Sequence, residues 1–231
     1  MNKFGPMFNG KAWCPKMNLL NKLERKIGRL AIPHLMFFIC GGMLIVFLTD
    51  YLLPQAGLGG LLALDMAKVA QGEVWRLITF IFSPVDTSPL WILFSLYFYC
   101  MIGEALECEW GTFRFCLFYL TGMIGAILAA LLTGYGFNAY LNLSLFLAFA
   151  FFYPDFQLML FFFVPIKVKY LAVFDIVLTV YSLVVGSWSV RVSIVFSLLN
   201  VVLYFGGYLL KHFRQWLSFR KTRSNFRKYM K

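Results

Sequence analysis

The sequence predicts an all-α polytopic membrane protein, built as a bundle of six transmembrane helices. Hydrophobic residues make up 61% of the 231 positions and charged residues only 13%, whereas soluble domains are roughly half apolar. The apolar residues fall into six stretches separated by short segments rich in glycine, proline and charge. About 20 apolar residues are enough for a helix to cross a bilayer. This composition excludes a soluble globular protein.

The basic residues lie mainly at the two ends of the chain. Of the 21 lysines and arginines, seven precede Ala31 and eight follow Leu210. Cations beside hydrophobic spans mark the cytosolic side and attract anionic lipid, so we expect both termini in the cytosol and no nucleic-acid partner. Apolar residues at helical spacing predict an amphipathic surface helix in the N-terminal arm, residues 1–30. Residues 212–231 are predicted to form a basic cytosolic tail.

The membrane domain, residues 31–211, is predicted to cross the bilayer six times. The spans are placed at residues 33–53, 89–106, 112–133, 139–153, 170–185 and 192–210. The first span follows the basic arm directly and is long enough to remain in the membrane, so we expect an uncleaved anchor. On the third span, Gly122, Ala126 and Ala130 recur at four-residue steps, which permits close helix packing and predicts a central position. The fourth span is unusually short.

The first loop, residues 54–88, is too long for a simple connection and is predicted to carry structure of its own. Residues 59–70 are predicted to form a short helix. Residues 72–84 are apolar but too short to cross a bilayer, so we expect them to be embedded at the membrane interface. Trp75 and Arg76 suit that depth, because each can place a polar group at the lipid headgroups while its apolar surface rests on lipid or protein.

Two other connections have distinctive sequences. Glu104, Glu107 and Glu109 are predicted to form an acidic turn between the second and third spans. Residues 161–169 are predicted to form a re-entrant or interfacial segment before the fifth span. The five cysteines show no metal-type Cys-x-x-Cys spacing, and no metal or cofactor is predicted.

The order of these parts resembles the rhomboid superfamily. The resemblance is carried by residues 72–82 with the Trp-Arg pair, by residues 103–107 with the following Trp110-Gly111, by Tyr153-Pro154, and by residues 161–171. It implies a rhomboid-like core of six helices, with a first loop partly sunk in the membrane and a short fourth helix.

The resemblance also implies where a catalytic apparatus would stand, and those positions are altered. Active rhomboids are serine proteases with a Gly-x-Ser-Gly nucleophile on the fourth helix, a histidine base on the sixth and a His-x-x-x-Asn pair on the second. The matching positions of the second helix hold Trp91 and Ser95, and that of the sixth holds Tyr204. The family spacing counted back from Pro154 falls near Ala139 instead of a serine.

One serine, Ser144, does lie on the predicted fourth span, and it would be the nucleophile if the protein were a protease. Neither His34 nor His212 is expected within the roughly 3 Å reach that a general base needs. We therefore expect no catalytic residue, and Trp91, Ser95, Ser144 and Tyr204 are predicted to line a remnant cavity.

Asp175 is an acidic residue in the interior of a predicted span, whereas Asp50 and Glu104 lie at the ends of theirs. An acid in the membrane is costly and suggests a function by default. Asn200 or Ser197 of the sixth span is predicted to be its partner, either to tie two helices together or to serve transport.

Three functions follow from these observations. The main prediction is a rhomboid-like pseudoprotease, similar in logic to derlins, which binds transmembrane client helices and perturbs the local bilayer without cleavage. The alternatives are an intramembrane serine protease with a non-standard site and a small-solute or proton carrier that uses Asp175. A prokaryotic plasma membrane is favoured over the endoplasmic reticulum, because the short tail has no obvious retrieval motif.

Overall fold

The computed structural model describes Arg25, Gly28 and residues 31–55, 57–84, 88–136, 138–160 and 164–206. The predicted N-terminal amphipathic helix, the basic tail with His212, and the end of the sixth span beyond Gly206 lie outside the described residues. In chain order, the helices are α1 (Leu35–Leu52), α2 (Leu58–Leu62), α3 (Met66–Ala70), α4 (Arg76–Thr79), α5 (Pro89–Trp110), α6 (Thr112–Thr133), α7 (Asn138–Phe152), α8 (Val168–Val185) and α9 (Trp188–Gly206).

The predicted all-α polytopic fold is confirmed. Five helices of the described chain, α1, α5, α6, α8 and α9, are long and apolar enough to cross a membrane. The shorter helix α7 is also apolar and has 15 residues, which corresponds to a length of about 22 Å. The buried core lies among α1, α5, α6 and α7, and its largest fully buried side chains include Met36, Leu106, Phe115, Phe118 and Phe149.

The bundle has two ends, which are named after the first loop and after the β-hairpin that follows α7. The loop end carries Arg76 and Asn138, and the hairpin end carries His34, Glu107 and Asp155. Helices α5 and α7 both begin at the loop end and finish at the hairpin end, where the Tyr153 hydroxyl after α7 donates to Glu109 of α5 at 3.3 Å.

Within the first loop, α2 and α3 occupy the region where one helix over residues 59–70 was predicted, so that prediction is wrong. An extended segment separates α2 from α3, because β1 (Leu64–Asp65) pairs antiparallel with β2 (Tyr135–Gly136) of the α6–α7 connection. Asp65 then caps α3 by accepting from the Ala67 backbone N–H at 3.0 Å. A Cβ at Gly136 would overlap the Leu64 side chain, so the pairing requires glycine there.

The carboxylate of Asp50 joins this loop to the end of α1. It accepts from the backbone N–H groups of Leu58 at 2.6 Å and Gly59 at 2.8 Å. These N–H groups belong to the first turn of α2, where they have no intrahelical partner. The loop is thus held by α1 on one side and by the α6–α7 connection on the other.

The three glutamates lie in the last two turns of α5, so the prediction of an acidic turn is wrong. Gly111, with a positive φ of 83°, makes the turn to α6 instead. Each carboxylate oxygen of Glu107 accepts from the His34 backbone N–H at 3.1 Å, and one also accepts from the Thr112 hydroxyl at 2.9 Å. Glu107 therefore ties the start of α1 and the start of α6 to the end of α5.

A β-hairpin stands where a re-entrant or interfacial segment was predicted. Strand β3 (Gln157–Leu160) pairs antiparallel with β4 (Val164–Lys167), with Gln157 opposite Lys167, and residues 161–163 lie outside the described residues. The Lys169 ammonium donates to the Asp155 carboxylate at 2.9 Å and, by this hydrogen bond, holds the pKa of Asp155 below its usual value.

Candidate functional site

Arg76 was predicted to face lipid, but its side chain lies inside the first loop and connects parts of that loop. Its side chain is only 1% exposed and forms an ion pair with Glu73. The Nη1 group donates to the backbone carbonyls of Gly60 at 2.8 Å and Ala63 at 2.9 Å. The neighbouring Trp75 remains 55% exposed, so the tryptophan is the outward-facing member of the pair.

Asn138, the first residue of α7, fastens that helix to the embedded loop. Its Nδ2 donates to the backbone carbonyls of Ile81 at 3.0 Å and Ser83 at 3.2 Å. A role for Asn138 was not predicted, although an asparagine that begins an apolar helix directly after a glycine-rich turn is a usable signal.

A cavity of about 410 Å³ lies at the loop end between the first loop and the start of α7. Asn138, Ser83, Asp65 and Ala139 line it together with apolar residues. The rhomboid resemblance places the nucleophile near Ala139, whose side chain is a methyl group and not a hydroxyl.

The hydroxyl of Ser144 is buried and already bonded. It donates to the backbone carbonyl of Leu141 at 2.7 Å. The cavity beside it has a volume of only about 10 Å³, close to the lower limit for a single water molecule. Its lining consists of Gly122, Ala126, Tyr140, Leu141, Ser144, Ser193 and Ser197, and these side chains contain no imidazole, amine or carboxylate.

The cavity beside Ser144 therefore differs from the predicted remnant cavity, which was to be lined by Trp91, Ser95, Ser144 and Tyr204. Trp91, Ser95 and Tyr204 do not line the cavity beside Ser144. Trp91 is 48% exposed near the start of α5. The hydroxyl of Tyr204 lies 3.4 Å from the Thr121 hydroxyl of α6, because α9 packs its polar residues against α6.

Asn200 likewise bonds to α6 and not to Asp175, so that predicted pair is not formed. The Thr121 hydroxyl donates to Asn200 Oδ1 at 2.9 Å, and Asn200 Nδ2 donates to the Phe118 carbonyl at 3.3 Å. The alternative partner, Ser197, donates to the Tyr140 carbonyl of α7. Asp175 is half-buried and has no hydrogen bond or ion pair within the described part of the chain.

Asn142 lies one helical turn after Asn138 and has a contrasting environment. Its side chain is buried, and neither amide atom has a hydrogen-bond partner among the described residues. A buried polar group without a partner costs about 1–3 kcal/mol.

These two asparagines provide a matched pair of substitutions. Asn138→Leu is expected to lower the free energy of unfolding by about 2 kcal/mol, because it leaves the carbonyls of Ile81 and Ser83 without their donor. Asn142→Leu is expected to leave stability unchanged or raise it by about 1 kcal/mol, because it removes an unpaired amide. Equilibrium unfolding in mixed detergent micelles measures both, and equal losses would contradict these roles.

Metal chemistry receives no support from the described residues. Within residues 31–55, 57–84, 88–136, 138–160 and 164–206, no three histidine, cysteine, aspartate or glutamate side chains are grouped so that they could hold a metal ion.

Comparison with known proteins assigns the family. The Rhomboid domain model matches residues 71–195, which is more than half of the chain and extends from the segment before Trp75 into α9. No curated protein and no solved structure matches the chain. The matched region contains the embedded Trp-Arg segment, α5 to α8 and the start of α9, in the order that the resemblance predicts. The chain is therefore a multi-pass membrane protein that belongs to the rhomboid family.

Proposed function

We propose that this rhomboid-family protein is a pseudoprotease, which binds transmembrane helices of other proteins without cleaving them. The observation that carries the proposal is the environment of Ser144. A serine nucleophile needs a base within hydrogen-bond reach and space for the reacting carbonyl. Ser144 donates to a backbone carbonyl and adjoins a cavity of only about 10 Å³ without a basic side chain.

The substitutions at the family positions support the same conclusion. Ala139 stands at the nucleophile position and Tyr204 at that of the base, and Tyr204 lies against Thr121 of α6. The sequence has two histidines: His34 precedes α1 at the hairpin end, and His212 lies outside the described residues.

The client-binding half of the proposal rests on α8 and α7. Only Val168 and Ala172 of α8 are buried, so most of this helix is open to lipid and to another helix. At about 22 Å, α7 is shorter than the hydrocarbon core of about 30 Å. We expect the bilayer to thin beside α7, which lowers the cost of admitting a client helix with polar residues.

We also propose a cell-membrane location with both termini in the cytosol, where the basic ends bind anionic lipid. The support comes from the charge distribution, since 15 of the 21 cations precede Ala31 or follow Leu210, seven at the first end and eight at the second. Cations flanking spans are retained on the cytosolic side.

A fluorophosphonate probe tests the absence of catalysis. We expect no labelling of the full chain in proteoliposomes, because the Ser144 hydroxyl has no general base. An active serine hydrolase in the same vesicles is the positive control. Labelling that disappears in Ser144→Ala would overturn the proposal and favour the protease alternative.

Site-specific photo-crosslinking to a defined single-span helix tests client binding. The crosslinker is placed at three side chains of similar exposure: Trp91 of α5 at 48%, Leu178 of α8 at 46%, and Ile124 of α6 at 48%. Capture is expected at Leu178 and not at Trp91 or Ile124, because the proposed client surface is the exposed part of α8. Equal capture at the three positions would indicate random collisions in the bilayer and would contradict the proposal.

A further inference from the structure

The face of α8 that is turned toward the bundle becomes polar along its length. Val168 and Ala172 are buried, and the next residues at three- and four-residue steps are Asp175, Thr179 and Ser182, which are half-buried. Most side chains of α8 between these positions are exposed, and several of them, such as Phe174 and Val177, are apolar. The half-buried face of α8 therefore carries a stripe of polar side chains and not an apolar stripe.

Asp175 is the ionisable member of this stripe, and no described residue pairs with it. The basic residues nearest to it along α8 and α9 are engaged at the helix ends. Lys169 bonds to Asp155 at the hairpin end, and Arg191 bonds to the carbonyls of Gly186 and Val184 at the loop end. An acid within a span is costly unless it finds a partner, and no partner for Asp175 occurs among the described residues.

The depth of Asp175 shows where such a partner would have to act. Asp175 lies seven positions after Val168 and ten before Val185, which is about 10 Å from the hairpin end of α8 and about 15 Å from its loop end. A partner group must therefore reach the middle of the bilayer. A soluble cation or a lipid headgroup at the surface lies too far away, whereas a side chain of another transmembrane helix is at the right depth.

We propose that Asp175 selects clients whose transmembrane helix carries a lysine or arginine near its centre. This inference rests on the proposed function, because it names the chemistry of the helix that is bound. The client cation pairs with the Asp175 carboxylate, and Thr179 and Ser182 offer hydroxyl groups to the same helix along the stripe. Pairing also lowers the free-energy cost of placing the client's charged side chain in the membrane.

A second copy of this chain is a poorer occupant of the surface. Two copies in one membrane have the same orientation, so a two-fold contact through α8 brings Asp175 against Asp175. Two carboxylates at one depth repel each other or must share a proton, whereas a client cation is complementary in charge.

The test uses the full chain in proteoliposomes and three synthetic leucine-alanine transmembrane peptides, with lysine, leucine or glutamate at the centre. Energy transfer between labelled protein and labelled peptide gives each affinity. We expect the lysine peptide to bind about tenfold more tightly than the leucine peptide, and the glutamate peptide to bind least.

Substitutions assign this preference to one side chain. Asp175→Asn should abolish the tenfold difference, and Asp175→Glu should retain it. Tyr181→Phe, at an exposed position of α8 outside the stripe, is the control and should keep the preference for lysine.

The outcomes separate this inference from the proposed function. Equal affinity for lysine and leucine peptides, or a preference that survives Asp175→Asn, overturns the inference and leaves client binding in place. Failure of every peptide to bind overturns both. Self-association in peptide-free vesicles that Asp175→Asn abolishes would identify a second copy as the occupant and would also overturn the inference.

Discussion

Replacing Arg76 with alanine is expected to lower the free energy of unfolding by about 3 kcal/mol, because it leaves two backbone carbonyls without a donor and removes the partner of Glu73, whose side chain is 31% exposed. The guanidinium is 1% exposed, pairs with Glu73 and donates to the carbonyls of Gly60 and Ala63. Alanine leaves all three acceptors without this donor. Equilibrium unfolding in mixed detergent micelles measures the loss.

The neighbouring Trp75 supplies the control, because its side chain is 55% exposed. Trp75→Ala is expected to change the free energy of unfolding by less than about 1 kcal/mol. Arg76→Lys should recover only part of the stability, since an ammonium cannot reproduce the planar fork of a guanidinium. If Trp75→Ala were as damaging as Arg76→Ala, the loop would not depend on the buried guanidinium.

Gly103→Val should lower the free energy of unfolding by about 3 kcal/mol, at the upper end of the cost of overpacking a core. Gly103 lies on α5 where α1 crosses it, and a Cβ at this position would overlap the Cβ of Met36 and come within 2.6 Å of its Cγ. Met36 is buried, so α1 and α5 must separate to admit the valine. The same unfolding measurement detects the change.

Gly41→Val is the matched control for this substitution. Gly41 also lies within a transmembrane helix, α1, but no heavy atom lies within 4 Å of a Cβ built there. Glycine and valine differ by only a few tenths of a kcal/mol in helix propensity, so Gly41→Val is expected to be nearly neutral. A large loss at both positions would indicate a general intolerance of valine and not a close contact between α1 and α5.

The spans could be predicted from the sequence because bilayer thickness alone sets the length of an apolar helix. Helix α6, at Thr112–Thr133, begins and ends where the third span was predicted. Helix α5 instead continues to Trp110, because Glu107 accepts hydrogen bonds from residues of α1 and α6. Those donors come from other elements, so local sequence did not indicate that the glutamates would remain helical.

The first loop shows the same limit more sharply. Helix α2 ends with carbonyls that have no helical partner. Arg76 is turned inward to donate to two of them, at Gly60 and Ala63, although its side chain would suit the lipid headgroups equally well. The partners lie 16 and 13 positions away in sequence, and no pattern around Arg76 reveals them.

By itself, the sequence determined the all-α membrane fold and the rhomboid family, and its resemblance to that family led to the expectation that the catalytic positions are altered. These properties follow from apolar length, motif order and residue identity at matched positions. Only the tertiary structure decided which polar groups meet: Asn200 with Thr121, Asn138 with the embedded loop, and Asp175 with no residue of the described chain. The physical reason is that a polar side chain in a bilayer takes whichever partner the helix packing brings within about 3 Å, and that packing is a property of the whole bundle.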